Sequence, residues 1–120
     1  SKNDRFEREL AFQIRAHKMP APHEQYRWAT SLTSEKGRPR QFRADFAWPA
    51  FQLLIEVQGG LFMPGGGGHS HPIHLVKDIE KAQCAVLLGL FLLPVTTDEV
   101  KNGRAIAMIE RVLAARGWTR

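Results

Sequence analysis

The sequence predicts an α/β domain with the element order αβββαβα, and three observations predict it. Apolar residues recur at helical spacing near the start of the chain, after the glycine-rich stretch that ends at Pro72, and toward the end. Two segments, His23–Trp28 and Gln41–Ala47, alternate apolar or aromatic with polar residues, as half-buried strands do. Two more, Gln52–Gln58 and Leu90–Val95, are short apolar runs of the kind that fill a sheet interior. At 120 residues, 43% of them hydrophobic, the chain can bury one core but is short for two, so a single domain over 1–120 is expected.

Each element has a local reason. Asn3 or Asp4 can cap a first helix in which Phe6, Leu10 and Ile14 form the stripe, and Pro20 and Pro22 forbid its continuation past His17. Ser34 to Pro39 is turn chemistry that pairs the two alternating segments. A turn around Trp48 to Phe51 leads into the central strand, apolar from Leu53 to Val57 except for Glu56. Gly59 to Pro72 holds six glycines and two prolines without periodicity and is expected to be a mobile loop. Ile73, Val76, Ile79 and Val86 define a second helix that stops at Gly89. Pro94 cannot donate to a ladder, which pushes the Leu90–Val95 strand toward an edge. Asp98 is expected to cap one last helix through Ile106, Ile109, Val112 and Leu113 to near Gly117.

Composition narrows the function classes. Seventeen Lys and Arg against 12 Asp and Glu leave a formal charge of +5, and ten of those cations lie in residues 1–45, without a block of like charge. That describes a basic folded surface and points to a polyanionic partner. One cysteine, Cys84, cannot form an internal disulfide, which removes the disulfide-stapled secreted class. The longest apolar run, Cys84 to Val95, is too short to span a membrane, and the polar start has no signal-peptide core. An intracellular, cytoplasmic protein with no membrane partner is expected.

A carboxylate inside an otherwise apolar strand is the most informative feature. An ionised Glu56 left unpaired there would cost several kcal/mol, so it needs compensation, either from a basic residue such as Arg43 on the adjoining strand or from a bound cation. If Trp48 to Phe51 is a two- or four-residue hairpin connection, paired positions sum to 99 and Asp45 faces Leu54, on the same sheet face as Glu56 and Gln58. Asp45 and Glu56 would then be diagonal neighbours at ~7–8 Å, a span that one divalent cation bridges. On a helical wheel at about 100° per residue, Glu7 falls on the edge of the Phe6–Leu10–Ile14 stripe and Glu9 further round, where a solvated acid belongs. Three carboxylates from three elements, Glu7, Asp45 and Glu56, could therefore hold magnesium, with manganese as substitute, and leave positions for water and phosphate. That arrangement predicts a phosphodiesterase.

These residues resemble a family. Glu7 within FERE, Asp45 within RADFAWP, and Glu56 with Gln58 within IEVQGG look like the PD-(D/E)XK nuclease signature, and the order αβββαβα is that superfamily's core. The size and the position of Glu7 are similar to small archaeal-type and phage Holliday junction resolvases, over Glu7 to Val100. The resemblance implies a restriction-endonuclease-like core with a central mixed sheet, magnesium-dependent DNA cleavage in recombination or repair, and a phage or prokaryotic host. The signature's lysine is replaced by Gln58, which can orient a water but supplies no charge. A substitute cation is at hand in the second helix, where His74, Asp78 and Lys81 share one face; Asp78 and Lys81 read equally well as a surface ion pair.

The loop histidines His69, His71 and His74 suggest zinc but lack a cysteine partner or a second ligand pair, so contact of His69 with the scissile phosphate is the better expectation. The neighbouring glycines would let backbone amides approach DNA. Arg27, Lys36, Arg38, Arg40 and Arg43 around the first hairpin are the candidate phosphate contacts, against a merely solvated basic surface. With no module left to read base edges, selectivity would come from shape, which favours a four-way junction cut symmetrically by a homodimer. The alternatives are a nicking or mismatch-repair-type endonuclease of the same fold and a non-catalytic basic DNA-binding domain; an RNA-binding module lacks the aromatic reading motif.

Overall fold

The computed structural model describes residues 3–59 and 72–120. Their order is α1 (Asp4–Ala16), β1 (His23–Arg27), β2 (Arg43–Trp48), a 3-10 turn (Pro49–Phe51), β3 (Leu53–Gln58), α2 (Pro72–Leu87), β4 (Phe91–Thr96), α3 (Thr97–Asn102) and α4 (Arg104–Ala115). The chain is thus α/β, with a four-stranded mixed sheet in the order β1-β2-β3-β4. The first three strands are antiparallel, and β4 runs parallel to β3 after the α2 crossover. As Pro94 suggests, β4 is an edge strand.

Helices cover both faces, and strand alternation decides which residue meets which helix. Phe46, Trp48, Leu53, Ile55, Val57 and Val95 turn to α1, α3 and α4, where Leu10, Ile14, Val100, Ile106, Ile109 and Leu113 complete the larger core. On the opposite face Ala44, Ala47, Leu54 and Leu92 meet Ala85, Cys84 and Leu88 near the end of α2.

Two details differ from the sequence reading. The last helix is two helices, because Gly103 at φ +83° ends α3 and starts α4. Its cap is Thr96, not Asp98: the Thr96 hydroxyl accepts from the Glu99 N–H and the Glu99 carboxylate accepts from the Thr96 N–H, each at 3.0 Å. The hairpin register also differs. The β2–β3 connection is Pro49–Gln52, with Gln52 in the left-handed region, so Trp48 pairs with Leu53 and paired positions sum to 101, not 99. The offset is two, an even number, so the face assignment survives while the neighbours change.

The second helix departs further. Leu75, Val76, Ile79, Val86 and Leu87 are all more than half exposed, and Ala85 is buried against the sheet. The stripe used to recognise the helix, which includes Val76, Ile79 and Val86, therefore points away from the sheet. The expected loop lies in 60–71, outside the described residues.

Candidate functional site

The corrected register brings the two strand carboxylates together. The β2–β3 pairing ends at Phe46–Ile55, and Asp45 and Glu56 are the next residues of the two strands, no longer offset by two. The strands stay joined there by a side chain: the Val57 N–H donates to Asp45 Oδ2 at 2.7 Å. Glu56 is fixed by Lys81, whose Nζ donates to Glu56 Oε1 at 3.2 Å, with 12% of the Glu56 side chain and 25% of the Lys81 side chain exposed. The compensating charge thus comes from α2. Arg43, the alternative considered above, is exposed at the start of β2, opposite Arg27 of β1.

The third carboxylate arrives from α1. Glu7 is half-buried, and Gln25 Nε2 donates to its Oε1 at 2.8 Å while reaching Asp45 Oδ1 at 3.4 Å. Glu9 is exposed and accepts from Gln13, one turn along the helix. Helix α1 is anchored at its start by Asn3, whose side chain caps nothing but donates to the Val57 carbonyl at 3.1 Å. Gly59 makes that anchor possible, since a Cβ there would lie 2.8 Å from Asn3 Oδ1. The close approach at Gly59 is thus to the protein's own Asn3.

Electrostatics ties the group together. The Asp45 carboxyl is pushed up from 3.8 to about 6, mainly by burial and further by the charges of Glu7 and Glu56, against the hydrogen bonds from Val57 and Gln25. Asp45 therefore feels the charge of both other carboxylates. Among the described residues no three His, Cys, Asp or Glu side chains form a ready-made metal cage, and Gln25 and Lys81 donate into the cluster. Oxygen-only donors, surplus negative charge and one carboxyl held up by burial and by its neighbours are the chemistry that suits a hard divalent cation. Gln58 ends β3 two residues beyond Glu56, on the same side by alternation.

A basic groove of about 530 Å³ adjoins the cluster, lined by Ser34, Pro39, Arg40, Gln41, Phe42, Arg43, Lys77 and Lys81. Lys81 belongs to both. Arg40 is ion-paired to Glu80 at 2.9 Å, which fastens the β1–β2 connection to α2. Of the expected phosphate contacts, Arg40 and Arg43 lie in this groove, Arg27 sits at the end of β1, and Lys36 and Arg38 are exposed on the connection. His69 and His71 are outside the described residues. Sequence reasoning missed Lys77 and Gln25: Lys77 looked like an ordinary helix-surface lysine, and Gln25 like the polar beat of an alternating strand.

No family model, no curated protein and no solved structure matches this chain.

Proposed function

We propose that the chain is a metal-dependent DNA endonuclease with a restriction-endonuclease-like core of the PD-(D/E)XK type, and that its preferred substrate is a four-way junction. The observation that carries this reading is that Asp45, held to Val57 of β3, lies within reach of the charges of Glu7 from α1 and Glu56 from β3, with an ammonium supplied by α2. Three carboxylates on one side and an open basic groove on the other suit a phosphodiester whose oxygens need neutralising as it is attacked.

Glu7, Asp45 and Glu56 would hold magnesium or manganese. A bound ion of that kind polarises the phosphate and acidifies the attacking water. The chain's own residues do the rest. Lys81 places a positive charge beside Glu56, the place left uncharged by Gln58, and neutralises developing negative charge on the phosphate. Gln58 orients water through its amide. Arg40, Arg43 and Lys77 guide the backbone along the groove, and Arg27, Lys36 and Arg38 extend the basic path.

A junction has two strands to cut, so the reading includes a two-fold dimer. The exposed Leu75, Val76, Ile79, Val86 and Leu87 stripe of α2 supports it, since a solvent-facing apolar helix face of that length is unusual on a monomer.

The deciding experiment incubates the purified chain with four-way junction, mismatched duplex and plain duplex, with magnesium or with EDTA. Magnesium-dependent cleavage of the junction that is lost in Asp45→Ala carries the reading. Preferential nicking of mismatched duplex favours a repair endonuclease of the same fold, and tight binding without cleavage makes the chain a DNA-binding domain.

A further inference from the structure

Gln25 has an unusual backbone for its place. It lies within β1 between the paired residues Glu24–Phe46 and Tyr26–Ala44, yet its φ is +49°, in the left-handed region. The other described non-glycine residues with positive φ, Lys18 and Gln52, lie in connections between elements. A strand interior is a costly place for such a conformation, and it persists only where its surroundings fix it. Here it falls at the break in the β1–β2 ladder, level with Asp45.

The Gln25 side chain accounts for what the distortion achieves. Its Nε2 lies 2.8 Å from Glu7 Oε1 and 3.4 Å from Asp45 Oδ1, so one NH2 group spans two carboxylates. Ionised carboxylates only accept, which fixes the amide with its nitrogen inward. A donor between two like charges does, more weakly, what a cation does: it supplies positive potential at the point of repulsion. Lys81 performs that service for Glu56 with a full charge.

We propose that Gln25 is a positioning residue that stands in for the cation, its amide bridging Glu7 and Asp45 in the metal-free protein and giving way when a divalent ion enters. This rests on the metal-dependent reading above. A neutral amide suits the role because it holds the carboxylates in place without competing as strongly as an ammonium would. It also gives the site a metal-free state in which Glu7 and Asp45 are already aligned.

The test uses the full chain, with melting temperature in EDTA and Mn2+ affinity by calorimetry as readouts. Gln25→Ala should melt lower in EDTA and bind Mn2+ several-fold more tightly, since the amide no longer has to be displaced. Gln25→Lys places a permanent cation at the same point; it should melt higher in EDTA and bind Mn2+ about tenfold or more weakly. In the unmodified chain the Gln25 side-chain amide resonances should shift as Mg2+ is added. Weaker Mn2+ binding by Gln25→Ala would make the residue a ligand or scaffold and overturn the proposal, as would unchanged melting and affinity in both variants. If the unmodified chain takes up no Mn2+, the metal reading fails and displacement with it, while the EDTA melts still decide whether the amide bridge holds the carboxylates.

Discussion

Lys81 and Glu56 form an ion pair between α2 and β3, 3.2 Å from Nζ to Oε1, on side chains that are both mostly buried. Such a pair adds little net stability when intact, but breaking it strands the remaining charge. Lys81→Met should therefore cost about 1–3 kcal/mol of stability. If Lys81 also faces the phosphate, the same variant should lose about a hundredfold or more in single-turnover cleavage while junction affinity changes only a few-fold. Cleavage near normal in a folded Lys81→Met would leave Lys81 a structural partner of Glu56. Gln58→Lys should lower the rate, because a second ammonium would meet Lys81 near the same carboxylate.

Asp45 makes stability depend on pH with a defined sign. Its carboxyl titrates near 3.8 when unfolded and at about 6 in the folded protein, so between those values the folded state holds more protons. Stability contributed by this group is complete below the unfolded value and is lost as pH rises through about 6. Thermal melts in EDTA should show Asp45→Asn more stable than the unmodified chain at pH 7.5 and equal to it near pH 4, since the amide oxygen still accepts from Val57. Equal melting at pH 7.5 would mean that neither burial nor the neighbouring glutamates hold the carboxyl up.

Salt dependence separates the groove from the rest of the basic surface. If Arg40, Arg43 and Lys77 track phosphates, each change to Ala should flatten the log–log slope of junction affinity against salt by roughly 0.9. Lys36 and Arg38, further out on the connection, should change it less. Fluorescence anisotropy from low to moderate salt measures both, and equal slopes for all variants would reject the groove as the phosphate path.

The outward stripe of α2 is checked by oligomeric state. Val86→Glu and Ile79→Glu place charge on surface already exposed, so neither should lower the melting temperature of a monomer. If two copies meet through α2, both should shift the mass measured by light scattering from dimer to monomer. An unchanged mass would move the dimer surface elsewhere.

Thr96 caps α3 and lies beside Gln58 across β3 and β4. Thr96→Ala should cost about 1 kcal/mol in stability through loss of the capping box, read as a lower melting temperature.

Much of this molecule could be read from one sequence because its signals are local. Helical spacing located α1, alternation located β1 and β2, and Pro94 put β4 at an edge. The side on which Glu7 lies followed from three apolar positions. What escaped depends on contacts between distant segments. The length of the hairpin connection shifted the β2–β3 register by two residues, and a left-handed residue at Gln52 cannot be inferred from alternation. Thr96 precedes its helix by one residue inside what reads as a strand end, so Asp98 looked the better cap. The face that α2 gives to the sheet could not be found from hydrophobic spacing at all, because Ala85 and Lys81 mark it while the larger apolar residues point outward.

That inversion makes α2 a lever. One side of the helix holds Lys81 against Glu56, and the other offers Leu75, Val76, Ile79, Val86 and Leu87 to whatever covers them. An occupant of the outer face that shifted the helix would change the spacing of the ammonium and the carboxylate on its inner side. Linkage is reciprocal: if a cation in the carboxylate cluster displaced Lys81 and the helix with it, affinity for that occupant would change by the same factor. Assembly and metal occupancy would then be two readings of a single helix position, and an inhibitor seated on the outside of α2 could act on the chemistry without entering the site.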